Sequence, residues 1–302
     1  MSTGKYLMSV KSIVKTSVSS KRCLNLGCGR RYHSAWTNLD LESNDPEVIS
    51  HDITRGIPFE ASSFNAVYHS HVLEHLNPDE GKLLIQECYR VLSPGGVLRV
   101  VVPDLERIAR LYLENHQQAW DGDEVASVNY DWMKMELLDQ LVREKSGGQM
   151  GIYMSRQEIK NAEFVQSRVG DELAVCQETT ESEAVKEKSL LSRLEESTVG
   201  FRRRMARRFV RWTLGRSAEA AFDEGMFRSQ GEIHRWMYDR YSLREICHLI
   251  GFESFRVCSA VESSIEGYSN YQLDSVEGQV RKPDSIFIEC RKPRSDAIRE
   301  VA

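Results

Sequence analysis

The first apolar stretch of the sequence ends in a glycine turn, LNLGCG, at residues 24–29. Gly27 and Gly29 lack Cβ atoms, so a ligand can lie against the backbone there and accept hydrogen bonds from its amide N–H groups. The same turn is also typical of a tight strand exit that binds nothing. Residues further along the chain must decide between the two.

Carboxylates end the next two apolar stretches, at Asp40 and Asp52. The first is placed to accept both hydroxyl hydrogens of a ribose, and the second to accept from an exocyclic amine such as that of adenine. A dinucleotide fingerprint GxGxxG would need glycine at position 32, where the chain has Tyr32, and the sequence has no Walker-type loop for a nucleoside triphosphate. The pattern favours a nucleoside without a pyrophosphate, and S-adenosylmethionine fits.

Three histidines and a glutamate lie close together in HSHVLEH, namely His69, His71, Glu74 and His75. A helix that starts near Val72 would place His71 and His75 one turn apart, where they could share a metal ion in a metal-dependent hydrolase. Their spacing matches no established metal signature. We therefore predict no metal site, and we expect Glu74 and His75 to form local hydrogen bonds at a helix start.

Short apolar stretches and one clear helix must position these groups. In that helix Asn77 is the capping residue and Pro78 the first helical position, and the helix stops at SPGG. A second helix, Ser242–Leu249, ends at Gly251 and precedes two stretches that suit a hairpin of strands. Five further strands are predicted, at Cys23–Leu26, Trp36–Leu41, Val48–Asp52, Phe64–His69 and Gly96–Pro103.

This order of elements predicts the α/β fold class, with a mainly parallel sheet, an antiparallel C-terminal strand and a helical insertion. Ligands bind such sheets at the carboxyl ends of the strands. We expect an N-terminal segment at 1–20, a sheet-forming core in two parts, 21–112 and 233–293, a helical insertion at 113–232 that acts as a lid or docking element, and a tail at 294–302.

Four segments, LNLGCG, NLDLE, HDITRGIPFEASSFNAVYHSHVLEHL and ECYRVLSPGGVLRVVVPD, carry a resemblance to a known family. In this order and spacing the chain resembles the class I S-adenosylmethionine-dependent methyltransferases, which have a Rossmann-like sheet. More narrowly, it is similar to a bacterial subgroup often encoded beside genes for surface-polysaccharide biosynthesis. The match covers residues 22–113 and resumes at HRWMYDRYSLREICHLIGF.

The resemblance implies S-adenosyl-L-methionine as the cofactor, with its methionine part along the glycine turn, its ribose on Asp40 and its adenine on Asp52 and Ile53. In the family a full helix usually joins the first two strands, whereas only RRYHSAW separates Gly29 from the second strand here. The second strand is therefore either displaced or reached through a single turn. The implied cofactor-binding residues are Leu26, Gly27, Cys28, Gly29, Asp40, Leu41, Asp52, Ile53, His69 and Ser70.

Methyl transfer needs the acceptor aligned in a water-poor site, and a hydroxyl acceptor also benefits from a base. His71 lies where the resemblance places substrate-facing residues, so it is the first catalytic candidate, with loop ordering as the alternative role. Asp104 is the second, with capping of the following helix as its alternative. Trp236 and Tyr238 could stack on a sugar face or pack in the core.

The segment FRRRMARRFVRWTLGR, residues 201–216, is basic and amphipathic. Its arginines and tryptophan suit an anionic membrane surface, and RNA is the less favoured ligand. Its basic face could instead pair with the acidic stretch before it, 171–196, and the helix could also mediate a homodimer.

Composition places the protein among soluble, cytoplasmic chains. It has 302 residues, a net charge of −5, no apolar run long enough to span a membrane and no CxxC pair among seven cysteines. We expect a methyltransferase that acts on a sugar or glycan hydroxyl. The alternatives are a small secondary metabolite or RNA as acceptor, and a binding protein that has lost turnover. The net charge argues against a nucleic-acid partner.

Overall fold

The computed structural model describes residues 22–177, 192–229 and 231–294. The expected N-terminal segment at 1–20 and nearly all of the tail lie outside the described residues. Nine strands are described, at Cys23–Leu26 (β1), Thr37–Asp40 (β2), Val48–Ser50 (β3), Phe64–Ser70 (β4), Leu92–Pro103 (β5), Glu253–Cys258 (β6), Ser275–Val276 (β7), Gln279–Val280 (β8) and Ser285–Arg291 (β9).

Seven of these strands form one sheet in the order β3-β2-β1-β4-β5-β9-β6. Strands β3, β2, β1, β4 and β5 are parallel to one another, and β9 runs antiparallel to both β5 and β6. The predicted fold class is therefore confirmed, including the antiparallel C-terminal strand and its pairing with the strand before it. The antiparallel strand lies one place in from the edge, because β6 covers its outer side.

The connection from β1 to β2 is short, yet β2 pairs in parallel register with β1, Leu24 opposite Thr37. Two buried asparagines replace the usual helix. Asn25 donates from its side-chain amide to the carbonyl of Arg31, and Asn38 donates in the same way to the carbonyls of His33 and Trp36. Because these side-chain amides donate hydrogen bonds to the loop carbonyls, the loop can join the two neighbouring parallel strands without a helix. The second strand is not displaced, and the connection consists of turns.

The predicted helix after β4 is confirmed as α1, Pro78–Val91. Asn77 accepts hydrogen bonds from the N–H groups of Asp79 and Glu80, and the Glu80 carboxylate accepts from the Asn77 N–H, which completes a capping box. Strand β5 begins at Leu92 rather than at Gly96, because Leu92 already pairs with Phe64 before a bulge. Apolar side chains of α1 pack on one face of the sheet with those of the last helix, Arg240–Ile250.

Between β5 and that last helix, the described chain is helical. Glu136 of this stretch forms a buried ion pair with Arg168, at 2.5 Å, and accepts a hydrogen bond from the Trp132 indole. Asp139 is also buried and accepts hydrogen bonds from Arg143 and from the N–H of Gln149. The helices are Leu105–Trp120 (α2), Glu124–Val142 (α3), Gly148–Met154 (α4), Ala162–Val169 (α5), Ser192–Leu214 (α6) and Arg216–Arg228 (α7), followed by Arg240–Ile250 (α8).

Arg99, at the centre of β5, has no exposed surface and holds the C-terminal part of the fold to the sheet. Its guanidinium lies 2.7 Å from Asp274 and 3.0 Å from Glu289, and it also donates to the carbonyls of Ser259 and Glu262. A planar guanidinium with five donors can satisfy all four groups at once. The buried charges are thus paired and hydrogen-bonded, which is the condition for keeping them away from water.

Replacing Arg99 by Met should lower the free energy of unfolding by about 3–5 kcal/mol, because the buried Asp274 loses its ion pair with Arg99 and the buried Glu289 keeps only its pair with Arg256. Urea denaturation followed by circular dichroism measures this change. Arg110→Met is the matched control, since the Arg110–Glu106 pair on α2 is largely exposed and should cost less than about 1 kcal/mol. Equal losses in the two variants would contradict the central role of Arg99.

Candidate active site

The glycine turn at the carboxyl end of β1 is held by β2. The N–H of Cys28 donates to the carbonyl of Leu39 at 3.0 Å, and the N–H of Gly29 donates to the Asp40 carboxylate at 2.6 Å. The other Asp40 oxygen accepts from the N–H of Leu41. Asp40 therefore fixes the turn, and its carboxylate lies directly beside the backbone that was predicted to hold the cofactor.

Both glycines have positive φ angles, +61° at Gly27 and +52° at Gly29, which favour glycine. A Cβ atom on Gly27 would lie 2.3 Å from Cγ2 of Val72, whereas one on Gly29 would meet no atom within 4 Å. Gly27 thus permits close packing under the turn, and Gly29 borders open space. That open space, beside a carboxylate, fits an adenosyl ligand laid against the turn.

Other predicted cofactor residues divide into buried and accessible groups. Leu26 is fully buried and Cys28 nearly so, which leaves only their backbone to a ligand. Leu41, at the end of β2, is 60% exposed and offers an apolar contact beside Asp40. Ile53 is partly buried and packs against the core under α1.

Asp52 was expected to end the third strand, but β3 ends at Ser50. Asp52 instead caps a short 3-10 turn, Ile53–Arg55, where its carboxylate accepts from the N–H and hydroxyl of Thr54 and pairs with Arg55 at 3.2 Å. The hydrogen bonds from Thr54 hold the pKa of Asp52 below its usual value. The prediction of its place was wrong, because a capping carboxylate is fixed by local backbone amides that a strand pattern does not reveal.

Strand β4 delivers His69, Ser70 and His71 to the same edge of the sheet. The His69 ring is fully buried beside the core, and burial lowers its pKa to about 4. Ser70 is half-buried at the end of the strand. His71 follows with φ of +54°, a left-handed conformation that is uncommon for a residue with a side chain and is concentrated at functional sites.

His71 lies between a carboxylate and a hydroxyl. Its Nδ1 is 2.9 Å from Oε1 of Glu74, and its Nε2 is 3.0 Å from Oγ of Ser285 on β9. Glu74 has no exposed surface, and burial alone would raise the pKa of its carboxyl, but the neighbouring His71 lowers it to about 2. An ionised Glu74 favours the tautomer with hydrogen on Nδ1, which leaves a lone pair on Nε2.

The segment after the helical stretch returns to this point. The backbone carbonyl of Glu74 accepts from the N–H groups of Arg235 and Trp236, at 2.7 and 3.2 Å. His234 is buried beside Glu74, and burial lowers the pKa of His234 to about 3. From the sequence we singled out the aromatic residues Trp236 and Tyr238 of this segment and missed His234. The only sequence signal for a functional role of His234 was the presence of a histidine in HRWMYD. None of the residues next to it suggested which group it would contact.

Two further sequence expectations take other forms. Tyr238 is buried in the core under α1, which matches its core-packing alternative, whereas Trp236 is 48% exposed. Asp104 caps α2 and accepts a hydrogen bond from the N–H of Arg107, and burial raises its pKa. Its structural place therefore matches the capping alternative.

A cavity of about 500 Å³ opens at this edge of the sheet. Arg31, which follows the glycine turn, and His71 lie on its sheet side, while α3 and α4 contribute the opposite wall. The helical stretch therefore closes the space next to the predicted cofactor turn. Apolar atoms contribute the larger part of the lining surface, and polar and charged side chains are also present, including Gln140, Arg143, Glu232, His234, Lys282 and Asp284.

Residues 24–100 match a family model described as a methyltransferase domain. A search of curated proteins finds no match. Similar solved structures include an Archaeoglobus fulgidus SAM-dependent methyltransferase, 10% identical over 90% of this chain and 86% of its own, with a TM-score of 0.36. A Mesorhizobium loti S-adenosylmethionine-dependent methyltransferase is 20% identical over 28% and 47% of the two chains, with a TM-score of 0.22.

A Haemonchus contortus phosphoethanolamine N-methyltransferase 2 in complex with S-adenosyl-L-methionine is 14% identical over 90% of this chain and 49% of its own, with a TM-score of 0.27. TM-scores this low do not establish a relationship. The assignment of a methyltransferase domain therefore depends on the family match and on the strand order of the sheet. Residues 24–100 match a methyltransferase domain, and they form the parallel strands of a Rossmann-like sheet.

Alanine at the two turn glycines should have different effects. Gly29→Ala should cost about 1–2 kcal/mol of stability from backbone strain alone, and it should weaken S-adenosylmethionine binding at least about tenfold, because its methyl group enters the open space. Gly27→Ala should lose more stability, since its methyl group overlaps Val72. Thermal melting and calorimetric titration measure the two effects. Unchanged cofactor affinity in a folded Gly29→Ala variant would place the cofactor elsewhere.

Proposed function

We propose that the protein transfers a methyl group to a hydroxyl of a sugar or glycan, with His71 as the base. The observation that carries this proposal is the His71–Glu74 pair at the wall of the cavity, 2.9 Å between Nδ1 and Oε1. A buried, ionised carboxylate orients the ring and favours a free lone pair on Nε2. A hydroxyl is a poor nucleophile until a base takes its proton, so this pair suits a hydroxyl acceptor.

S-adenosylmethionine, when bound, supplies a methyl group on a sulfonium that a nucleophile displaces in line. The chain's own contribution is positioning. Asp40 holds the glycine turn in place for the cofactor, and His71 faces the cavity beside that turn. Ser285 occupies Nε2 of His71 in this structure, so an acceptor hydroxyl would take or share that hydrogen bond. Residues of α3 and α4 line the side of the cavity opposite His71, and closure of this wall over an acceptor would reduce its contact with water.

The lining of the cavity supports a sugar over an apolar metabolite. Arg143, Glu232, Lys282 and Asp284 present donors and acceptors of both charges to the cavity, as the many hydroxyl groups of a sugar require. A volume of about 500 Å³ accommodates a sugar unit but not a folded nucleic acid. The resemblance to the polysaccharide-associated subgroup points the same way, and the helical stretch then acts as the lid over the acceptor.

His71→Gln should lower kcat/KM for methyl transfer by about 10²–10⁴-fold while leaving S-adenosylmethionine affinity unchanged, because the acceptor loses its base. The assay follows labelled methyl transfer to a panel of sugar nucleotides, oligosaccharides, small phenols and RNA, with mass spectrometry of the product. His116→Gln is the matched control, since His116 on α2 is exposed outside the cavity lining.

Full turnover by His71→Gln would remove His71 from the mechanism. Transfer to RNA or phenols without transfer to any sugar would overturn the acceptor class. Cofactor binding without transfer to any acceptor on the panel would favour a binding protein.

We also propose that α6 contacts an anionic membrane surface. Met205, Phe209 and Trp212 are 52%, 63% and 83% exposed. Arg207 and Arg211 pair with acids of α7. A surface that combines exposed aromatic rings with arginines suits the interface between lipid headgroups and acyl chains. In the described part of the chain, no helix has the length and hydropathy to cross a bilayer.

Replacing both Phe209 and Trp212 by Ser should reduce cosedimentation with vesicles that contain phosphatidylglycerol at least about tenfold, because two apolar side chains no longer enter the interface. Trp120→Ser is the control, since Trp120 is equally exposed, at 81%, on α2. Equal vesicle binding by the two variants would contradict the proposal. A concentration-dependent mass that the double variant abolishes would show dimerisation through this helix instead.

A further inference from the structure

We infer that Glu74, His75 and His234 bind a divalent transition-metal ion at the wall of the acceptor cavity. One carboxylate oxygen and two imidazole nitrogens from these residues lie within 4.8 Å of one another. Glu74 and His75 come from the turn after β4, and His234 returns from the far end of the helical stretch. The inference replaces our sequence-based expectation of local hydrogen bonds at a helix start.

Glu74 provides the strongest argument. Its carboxylate has no exposed surface, and among the described residues neither of its oxygens has a hydrogen-bond partner. Oε1 has the contact with His71 alone. A buried carboxylate normally has a cationic partner, several hydrogen bonds or a metal ion. One imidazole at ion-pair distance therefore leaves this carboxylate without a hydrogen bond, and one of its oxygens lies within 4.8 Å of a ring nitrogen of His75 and of His234.

The two histidines are oriented before any ion binds. Nδ1 of His75 lies 3.1 Å from the carbonyl of Ile233, so the ring donates there and presents Nε2 as a ligand. Nδ1 of His234 is buried and has no hydrogen-bond partner within the described ranges. The rings contact edge to face, with centroids 4.9 Å apart. A carbonyl behind the first ring is the usual outer contact of a metal-binding histidine.

Distances and donor types select the ion. Two ligands at about 2.1 Å from an ion lie at most about 4.2 Å apart, so closure needs less than about 1 Å of side-chain movement. Two imidazoles and one carboxylate suit Zn²⁺, Co²⁺, Mn²⁺ or Fe²⁺, whereas Mg²⁺ and Ca²⁺ prefer oxygen ligands. Three protein ligands leave coordination positions open.

The open positions would face the acceptor. His75 and His234 both line the cavity that contains His71. An ion held by them would lie beside the hydroxyl that His71 serves and could bind its oxygen as a Lewis acid. This last point rests on the proposed function, whereas the ion-binding site itself does not.

The test is a titration of the full-length protein after dialysis against EDTA and then metal-free buffer. Co²⁺ should bind at about one ion per chain and give a visible d–d absorption, and Zn²⁺ should displace it. Glu74→Gln, His75→Ala and His234→Asn should each weaken Co²⁺ binding by at least about 100-fold. His248→Ala is the matched control, since His248 is exposed on α8. Circular dichroism and melting in EDTA verify that each variant is folded.

A wild-type protein that binds no Co²⁺ or Zn²⁺ at tenfold excess would overturn the inference, as would a folded His234→Asn variant with wild-type affinity. If the buried Glu74 and His234 variants fail to fold, His75→Ala decides the matter, because His75 is only half-buried. Failure of the proposed function is distinguishable: a protein that binds one ion but methylates no sugar overturns the acceptor class alone. Sugar methylation at full rate by an ion-free protein overturns only the role of the ion as a Lewis acid, because Co²⁺ binding tests the site itself.

Discussion

The burial of the Glu74 carboxylate is the constraint on which the site depends. A carboxylate with no exposed surface must be compensated by its neighbours, and here His71, His75 and His234 surround it. Its backbone carbonyl also accepts two N–H groups from residues 235 and 236. One residue therefore joins the exit of the fourth strand to the segment that ends the helical stretch, and the cavity exists because these two parts of the chain meet there.

The helical stretch begins and ends near the same edge of the sheet. Polar contacts within the stretch stabilise this arrangement. The Glu136–Arg168 ion pair is buried, and Asp139 fixes the turn between two helices by accepting the N–H of Gln149. Such buried ion pairs fix the relative positions of the helices but add little net stability, because the cost of removing the two charges from water offsets most of their attraction. Their consequence is a defined wall opposite His71, where Gln140 and Arg143 face the cavity.

The sequence predicted those features of the fold that depend on residues close together in the chain. The strands and the helix capped by Asn77 follow from apolar runs and a capping box, which depend on neighbours a few residues away. Asp52 was misplaced because its carboxylate is captured by the amide of Thr54. His234 was missed for the opposite reason: Glu74, the residue that gives it a role, is far away in sequence, and only the tertiary fold brings them together.

The two halves of the site have separate origins in the chain, and this separation has a physical consequence. The glycine turn, Asp40 and His71 lie within the segment that matches the methyltransferase domain, residues 24–100. Arg143, His234 and Asp284, which line the acceptor cavity, lie outside it. The sheet holds the first group through strand pairing, whereas helix packing and β9 hold the second. Under the proposed function, changes in the helical stretch can therefore alter the acceptor without disturbing the glycine turn that we propose for the cofactor.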